Sequence, residues 1–492
     1  MAKPADTKTV QVSGGLPLCV DLDGTLILSD ILWESLMVLL SKQPLYIFMI
    51  PMWLLNGRAN LKRQIALRTI VNPETLPFHQ EFLEYLRAEH KAGRYLVLAT
   101  AADLRLASAV AEHVGIFSEV LATDANNNLK GARKRAVLEG RFGERGYDYA
   151  GNSSADVEVW RGANIAIVVN APGSVSRRAA TVSTVGRTFS PSRPKRWTIY
   201  LRAMRVHQWM KNLLIFLPVL TSHQILNPTI LLTSTLAMLA FSVCASSVYI
   251  LNDLLDLPSD RLHAVKRRRP FAQGDLSIPF GFVLIVGLLT TCAGIALFLP
   301  AAFQATLLTY YILTLAYSFS LKRKLLVDVF TLGGLYVIRV LAGSAATHIE
   351  PSAWLLAFCL FFFLSLALLK RFTEVRNLKD TADRKIVGRG YNTSDEQALG
   401  ALGTSSGFMC VLVLALYLNS PQVLPLYQVP WMLWFLCPLF LYWISRVWIF
   451  AYRGKIDEDP VLFAIKDRVS YIVGCFCLAI LALASRGIMF LR

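Results

Sequence analysis

The chain has 492 residues, 54% of them hydrophobic and 17% charged, with a formal net charge of +17. A mean hydropathy of +0.47 excludes a wholly soluble protein. The basic surplus lies in loops that flank apolar segments, which suits an anionic membrane face and argues against nucleic acid as partner. The eight cysteines (Cys19, Cys244, Cys292, Cys359, Cys410, Cys437, Cys475 and Cys477) form no CxxC pair and lie mostly in apolar runs. They read as small buried hydrophobes. The polar opening MAKPADTKTVQVSGG lacks the apolar core of a signal peptide, which predicts a cytoplasmic N-terminus.

Residues 16–171 are expected to form an α/β domain. LPLCVDLDGTL reads as a buried strand running into a turn, and RYLVLAT (94–100), YDYAGN (147–152) and ANIAIVVN (163–170) as further strands of a parallel sheet, separated by helical stretches. Asp21-Leu22-Asp23-Gly24-Thr25 follows the first strand directly, where open α/β sheets bind ligands. Two aspartates one residue apart suit a nucleophile and a general acid over one Mg²⁺. An insert at about 31–90 is expected to form a helical cap. Its part 31–56 is apolar but broken by Ser41-Lys42-Gln43-Pro44, so each half is short for a span. It is expected to dip into the membrane interface.

Four short motifs, in order, make this half resemble the haloacid dehalogenase superfamily of phosphatases, whose fold is Rossmann-like. The resemblance implies that Asp21 is the nucleophile that forms an aspartyl-phosphate and Asp23 the general acid/base. It implies that Thr100 binds the phosphoryl group and that Lys134, in KGARKRAVL, neutralises it. Gly151-Asn152-Ser153-Ser154-Ala155-Asp156 matches the metal-binding motif, so Asp21, Asp23 and Asp156 are the implied Mg²⁺ ligands. Asn152 stands where the family pattern carries Asp, which keeps a non-catalytic regulatory module as an alternative.

Residues 172–204, with PGSVSRRAA and SPSRPKRW, are expected to be a basic linker that lies on acidic headgroups. From about Lys211 onward nine apolar segments of spanning length centre near 218, 240, 288, 309, 336, 361, 410, 440 and 480. TSHQILNP, FLPAAF, THIEPS and NSPQVLPLYQVP carry no Lys or Arg, whereas the alternate loops are rich in both. This alternation satisfies the positive-inside rule. It predicts an inner-membrane protein of bacterial type, with the N-terminal domain and charged loops cytoplasmic and Arg492 outside. No solenoid repeat is visible.

The loop YILNDLLDLPSDRLHAVKRRRP, from Tyr249 to Pro270, carries Asp253, Asp256 and Asp260 at steps of three and four. On one helix that spacing puts the carboxylates on one face. Carboxylates leaving a membrane segment are costly unless they hold a cation or face a wet cavity. Hard oxygens suit Mg²⁺ shared with substrate phosphates, and Lys266, Arg267 and Arg269 suit the remaining phosphate charge. Pro258 is expected to set Asp260 on a separate turn.

The NDxxDxxxD run and the all-α membrane pattern resemble the UbiA superfamily of intramembrane prenyltransferases over 205–492. Details resemble its polyprenyl (decaprenyl)-phosphate phosphoribosyltransferase branch: the run from Asn252 to Gly274, RVHQWMKN at 205–212, YSFSLK at 317–322, Asp328, Lys370-Arg371 with Glu374, and Asp467-Arg468. The resemblance implies that Asp253 and Asp256 are catalytic and, with Asp260, ligate Mg²⁺. It implies phosphate or substrate contacts from Lys211, Tyr249, Asn252, Lys266, Arg267, Arg269, Tyr317, Lys322, Lys370 and Arg371. Aromatic prenyltransferases of the superfamily carry a second acidic motif after the sixth span. Here KRFTEVRNLKDTADRK is led by Lys370 and Arg371, with Asp380 and Asp383 behind. One acidic run facing cations suits the diphosphate of phosphoribosyl pyrophosphate and the monophosphate of a polyprenyl lipid. The expectation is a bifunctional enzyme. It would transfer 5-phosphoribose to polyprenyl phosphate and then remove the 5-phosphate. The alternatives are an aromatic (4-hydroxybenzoate-type) polyprenyltransferase, and a transferase with a non-catalytic N-terminal module. A homo-oligomer is compatible with each.

Overall fold

A computed structural model describes residues 15–124, 128–190, 196–377, 389–421, 427–456, 463–464 and 466–486. The polar start, Asp380, Asp383 and Arg492 lie outside the described residues. The chain divides into two compact units, Met1–Arg205 with Tyr249–Val286, and Val206–Val248 with Gly287–Arg492.

The first unit contains a six-stranded parallel sheet of order β3-β2-β1-β4-β5-β6. In chain order its elements are β1 (Leu18–Val20), α1 (Ile31–Lys42), α2 (Ile50–Leu55), α3 (Arg58–Arg68), α4 (Gln80–Lys91), β2 (Leu96–Asp103), α5 (Leu104–Val114), β3 (Glu119–Thr123), α6 (Ala132–Phe142), β4 (Asp148–Gly151), α7 (Asp156–Trp160), β5 (Ile165–Val169), α8 (Gly173–Val182) and β6 (Thr184–Phe189). The central strands are continuous apolar runs because helices cover both faces. Alternate residues serve the two cores. Leu18, Val20, Leu96 and Leu98 pack with Phe82, Leu86 and Val110. Cys19, Val97 and Ala99 pack with Leu138, Tyr147 and Trp160. The insert between β1 and β2 holds four helices, α1 to α4. Asp30 caps α1 by accepting from the amides of Leu32 and Trp33.

Two strands were not legible in the sequence. One is β3. The other is β6, which corrects the expected linker at 172–204, since Gly173–Phe189 forms a helix and the sixth strand. As an edge strand β6 buries only Phe189, so it shows no apolar run, and α8 buries only Val175 and Ala179.

Beyond α9 (Arg196–Ala203), residues Val206–Phe216 run as 3-10 turns into α10 (Leu217–Thr221). Then follow α11 (Pro228–Leu255), α12 (Leu257–Leu262), α13 (Pro270–Gln273), α14 (Ile278–Ala296), α15 (Ala301–Phe319), α16 (Val327–Thr347), α17 (Ala353–Asn377), α18 (Glu396–Leu418), α19 (Leu436–Tyr452) and α20 (Arg468–Arg486). Among the described residues seven helices are long and apolar enough to cross a membrane, those of α11, α14, α16, α17, α18, α19 and α20. The expected span near 218 is instead the 3-10 stretch and short α10, interrupted by Pro218. The helix near 309, α15, has 19 residues, but Gln304, Thr306, Thr309, Tyr310 and Tyr311 dilute its apolar character.

In the second unit α18 and α19 pack through small residues. A Cβ at Gly403 would lie 2.2 Å from the Trp448 ring, and one at Gly407 2.7 Å from Ile444. Ser365 on α17 closes the contact, donating to the Gly403 carbonyl at 2.7 Å and accepting from Trp448 Nε1 at 3.1 Å. Small residues that let helices approach and hydroxyls that bridge them are the usual means of packing in lipid.

Candidate active site

Asp21 follows β1 directly and Asp23 lies on the turn beyond it. They line a cavity of about 670 Å³ in the first unit, together with Lys62, Lys134, Asn152 and Asp156. Lys134, on α6 and 3% exposed, donates to Asp21 Oδ1 and to the Tyr149 hydroxyl, each at 2.8 Å. Tyr149 in turn donates to Asp156 Oδ1 at 2.8 Å. Asp156 Oδ2 accepts from the amides of Asn152 and Ser153 and from the Ser153 hydroxyl. Asp156 therefore braces the loop after β4 and positions Lys134 through Tyr149. Gly24 adopts a left-handed φ of +72°, and a Cβ there would lie 2.0 Å from Asn152 Nδ2. Asn152 thus packs on the turn that carries Asp23, and only glycine fits that turn.

Burial pushes the Asp21 carboxyl up to about 6, against the opposing pull of Lys134. Asp23 is pushed well above the usual carboxylate range by burial and by the nearby Asp30 and Asp21. It accepts from the Ile31 amide at 2.8 Å, and Lys62 opposes the rise. Burial thus raises both carboxyls, and the Lys134 ammonium opposes the rise at Asp21. Thr100 departs from expectation. It is fully buried, its Oγ1 accepts from the Ala102 amide at 3.0 Å, and Ala101 lines the cavity instead.

The acidic run is also part of the first unit. The three carboxylates do not share one continuous helix. Helix α11 ends at Leu255, Asp256 is the N-cap of α12, and Pro258 sits in the first turn of α12. Arginines hold two of the carboxylates. Arg205 and Arg269 both donate to Asp253 Oδ1, and Arg269 also donates to Asp260 Oδ2 at 2.6 Å. Burial raises the Asp260 carboxyl to about 6 despite Arg269. The Arg205 guanidinium also lies over the Tyr249 ring. Asn252 Oδ1 is buried with no hydrogen-bond partner among the described residues. Lys266 and the exposed Arg267 lie on a 3-10 turn. No group of three or more His, Cys, Asp or Glu converges as a metal cage among the described residues.

A buried fork that the sequence did not reveal joins the acidic run to the cap. Arg261 donates to both oxygens of Glu34 on α1, at 3.0 and 2.7 Å. It also donates to the carbonyls of Thr75 and Ala272, and Ser29 donates to Glu34.

In the second unit Arg371 departs from the expected phosphate role. It is fully buried and donates to Asp328 at 2.5 Å, to Glu374, and to the Tyr317 hydroxyl at 3.0 Å. Tyr391 donates to the other oxygen of Asp328. Tyr317 accepts from Arg389 as well, at 2.8 Å. Arg371 is thus the hub of a buried polar cluster. Lys211 lies over the Tyr336 ring, while Lys322 and Lys370 are half-buried.

Residues 213–484 match the UbiA prenyltransferase family. A Sinorhizobium fredii protein named y4nM is 36% identical over 463 residues, covering 93% of this chain and 89% of its own length, so the match runs through both units. The nodulation protein NoeC of Azorhizobium caulinodans is 33% identical over 300 residues, 60% of this chain and 94% of its own. The decaprenyl-phosphate phosphoribosyltransferase of Mycobacterium tuberculosis is 32% identical over 179 residues, 36% of this chain and 59% of its own.

Proposed function

The chain belongs to the UbiA prenyltransferase family and is an integral membrane protein, and from that premise we propose a two-step enzyme acting on a lipid phosphate. In the first step 5-phosphoribose passes from phosphoribosyl pyrophosphate to a polyprenyl phosphate. A lipid phosphate oxygen bonds to C1 of the ribose as the C1–O bond to the diphosphate breaks. The likeness to a mycobacterial decaprenyl-phosphate phosphoribosyltransferase supports the phosphoribosyl group and the lipid acceptor. In the second step the N-terminal half, read as a haloacid dehalogenase-like phosphatase, removes the 5-phosphate.

Asp253, Asp256 and Asp260, with the unpartnered Asn252 Oδ1, offer hard oxygens that fit Mg²⁺. What Mg²⁺ supplies when bound is neutralisation of charge on the departing diphosphate. Arg205 and Arg269 hold Asp253 in place. Lys266 and Arg267 supply charge for phosphate.

For the hydrolysis, an Asp21 oxygen bonds to phosphorus and the P–O bond to the sugar breaks. Asp23 gives the released sugar oxygen its proton. Water then loses a proton to Asp23 and attacks phosphorus, freeing Asp21 and inorganic phosphate. Lys134 and Tyr149 steady the charge on the way. Asp21 and Asp23 are also hard ligands suited to Mg²⁺.

The observation that carries this reading is that one compact unit holds both the Asp21–Lys134 pair and the arginine-bracketed aspartates. The test is incubation of the full chain in vesicles with Mg²⁺, labelled phosphoribosyl pyrophosphate and polyprenyl phosphate, followed by mass analysis of the lipid. Labelled polyprenyl-phosphoribose is expected, and Asp253→Ala should abolish it. Turnover of a prenyl diphosphate with 4-hydroxybenzoate, and none with the sugar donor, overturns the reading.

A further inference from the structure

The cavity at Asp21 is larger than a phosphate needs, and much of its wall lies outside the α/β sheet. Tyr200 on α9 and the segment Gly274–Phe280, which follows the acidic run, also line it. The rings of Tyr200 and Phe280 lie 5.7 Å apart, and Trp33 on α1 adds a third aromatic lining residue. Two devices hold this wall in place. Arg261 grips the Ala272 carbonyl while it pairs with Glu34. Gly274, at φ +81°, sits so close to Leu28 that a Cβ would come within 2.8 Å of the Leu28 side chain. The cavity also holds cations beyond Lys134. Lys62 and Lys130 both line it, and Lys62 donates to the Ala101 carbonyl at 2.5 Å.

Resting on the reading of Asp21 as a phosphatase nucleophile, we infer that this cavity recognises both ends of its substrate, a sugar with a phosphomonoester at one carbon and an apolar-tailed phosphodiester at another. The phosphomonoester meets Asp21 and Lys134. The phosphodiester meets Lys62 and Lys130. The sugar face and the start of the apolar tail lie on Tyr200, Ile278 and Phe280. Aromatic and aliphatic surface together with lining cations suits such an amphipathic anion and wastes most of its contacts on a small soluble phosphate. Specificity for the lipid-linked sugar thus resides in residues outside the sheet.

The experiment measures phosphate release by the full-length protein from two substrates. One is polyprenyl-phosphate-linked 5-phosphoribose in phosphatidylglycerol vesicles, the other ribose 5-phosphate. The readout is the ratio of the two kcat/KM values. Tyr200→Ala, Phe280→Ala and Lys130→Met are each expected to lower that ratio about tenfold, within the range that lost pocket contacts produce. Tyr200→Phe and Phe280→Leu keep the surface and are expected to keep the ratio, which separates recognition from misfolding. Phosphatase activity with an unchanged ratio in all three variants overturns this inference and leaves the phosphatase standing. Turnover of neither substrate by the unmodified chain overturns the phosphatase reading and this inference with it.

Discussion

Single side chains test whether the two proposed chemistries are separable. On the proposed reading Asp21→Asn removes the attacking carboxylate oxygen but leaves Asp253 and Asp256 untouched. The lipid product is expected to accumulate with its 5-phosphate in place, with phosphate release down at least about 100-fold. Mass analysis of extracted lipid reads this directly, and an unchanged ratio of phosphorylated to dephosphorylated product excludes Asp21 as the nucleophile. Arg371 makes the opposite point. It carries a phosphate-binding signature in the sequence, yet its guanidinium is spent on Asp328, Glu374 and Tyr317 at zero exposure. Removing one partner of a buried pair leaves the other charge uncompensated, at a cost of about 3–5 kcal/mol. Arg371→Met is therefore expected to lower the thermal midpoint in detergent. A variant that melts like the parent but binds lipid phosphate poorly would restore the binding role.

Among the elements, the cap carries the clearest surface signal. The stretch from the 3-10 turn Pro44–Phe48 through α2 leaves Leu45, Phe48 and Leu55 exposed, Phe48 at 77% and Leu55 at 88%. Such a patch on a chain with long apolar helices fits a bilayer surface. Trp53 is not part of it, since it is 4% exposed, with Tyr46 beside it and the Arg68 guanidinium over its ring. Phe48→Asp with Leu55→Asp should slow dephosphorylation of the lipid substrate several-fold more than that of ribose 5-phosphate. Equal slowing of both counts against membrane docking by the cap. Helices α18 and α19 offer a second element-scale test. At Gly403 any larger residue meets the Trp448 ring. Gly403→Val should therefore destabilise the second unit by about 1–3 kcal/mol, read as a lower thermal midpoint.

At the scale of the whole molecule, local signals were legible and long-range ones were not. The strands around Asp21 announced themselves as apolar runs bounded by turns, and most membrane helices as long apolar stretches. The edge strand β6 buries one side chain and left no pattern to read. The break at Pro218 hid inside an apolar segment. The role of Arg371 depended on Asp328, 43 residues away in the chain. The Glu34–Arg261 fork was likewise invisible, because neither residue stands in a motif that names the other. Arg261→Met should lower phosphate release and sugar transfer together, since the same guanidinium fastens α1 and the segment next to Asp260. Loss of one activity alone would show that the fork serves only that site.

The same fork bears on the order in which the protein is made. Glu34 leaves the ribosome 227 residues before the arginine that neutralises it. Until then its carboxylate, 2% exposed in the finished protein, has no guanidinium to pair with. The α/β half, though first to be synthesised, cannot close around Glu34 until α11 has been made and Arg261 has followed it. A nascent chain halted before residue 261 should therefore remain protease-sensitive at the cap while its sheet is already protected. Insertion of the first long apolar helix would become the event that completes a fold begun two hundred residues earlier.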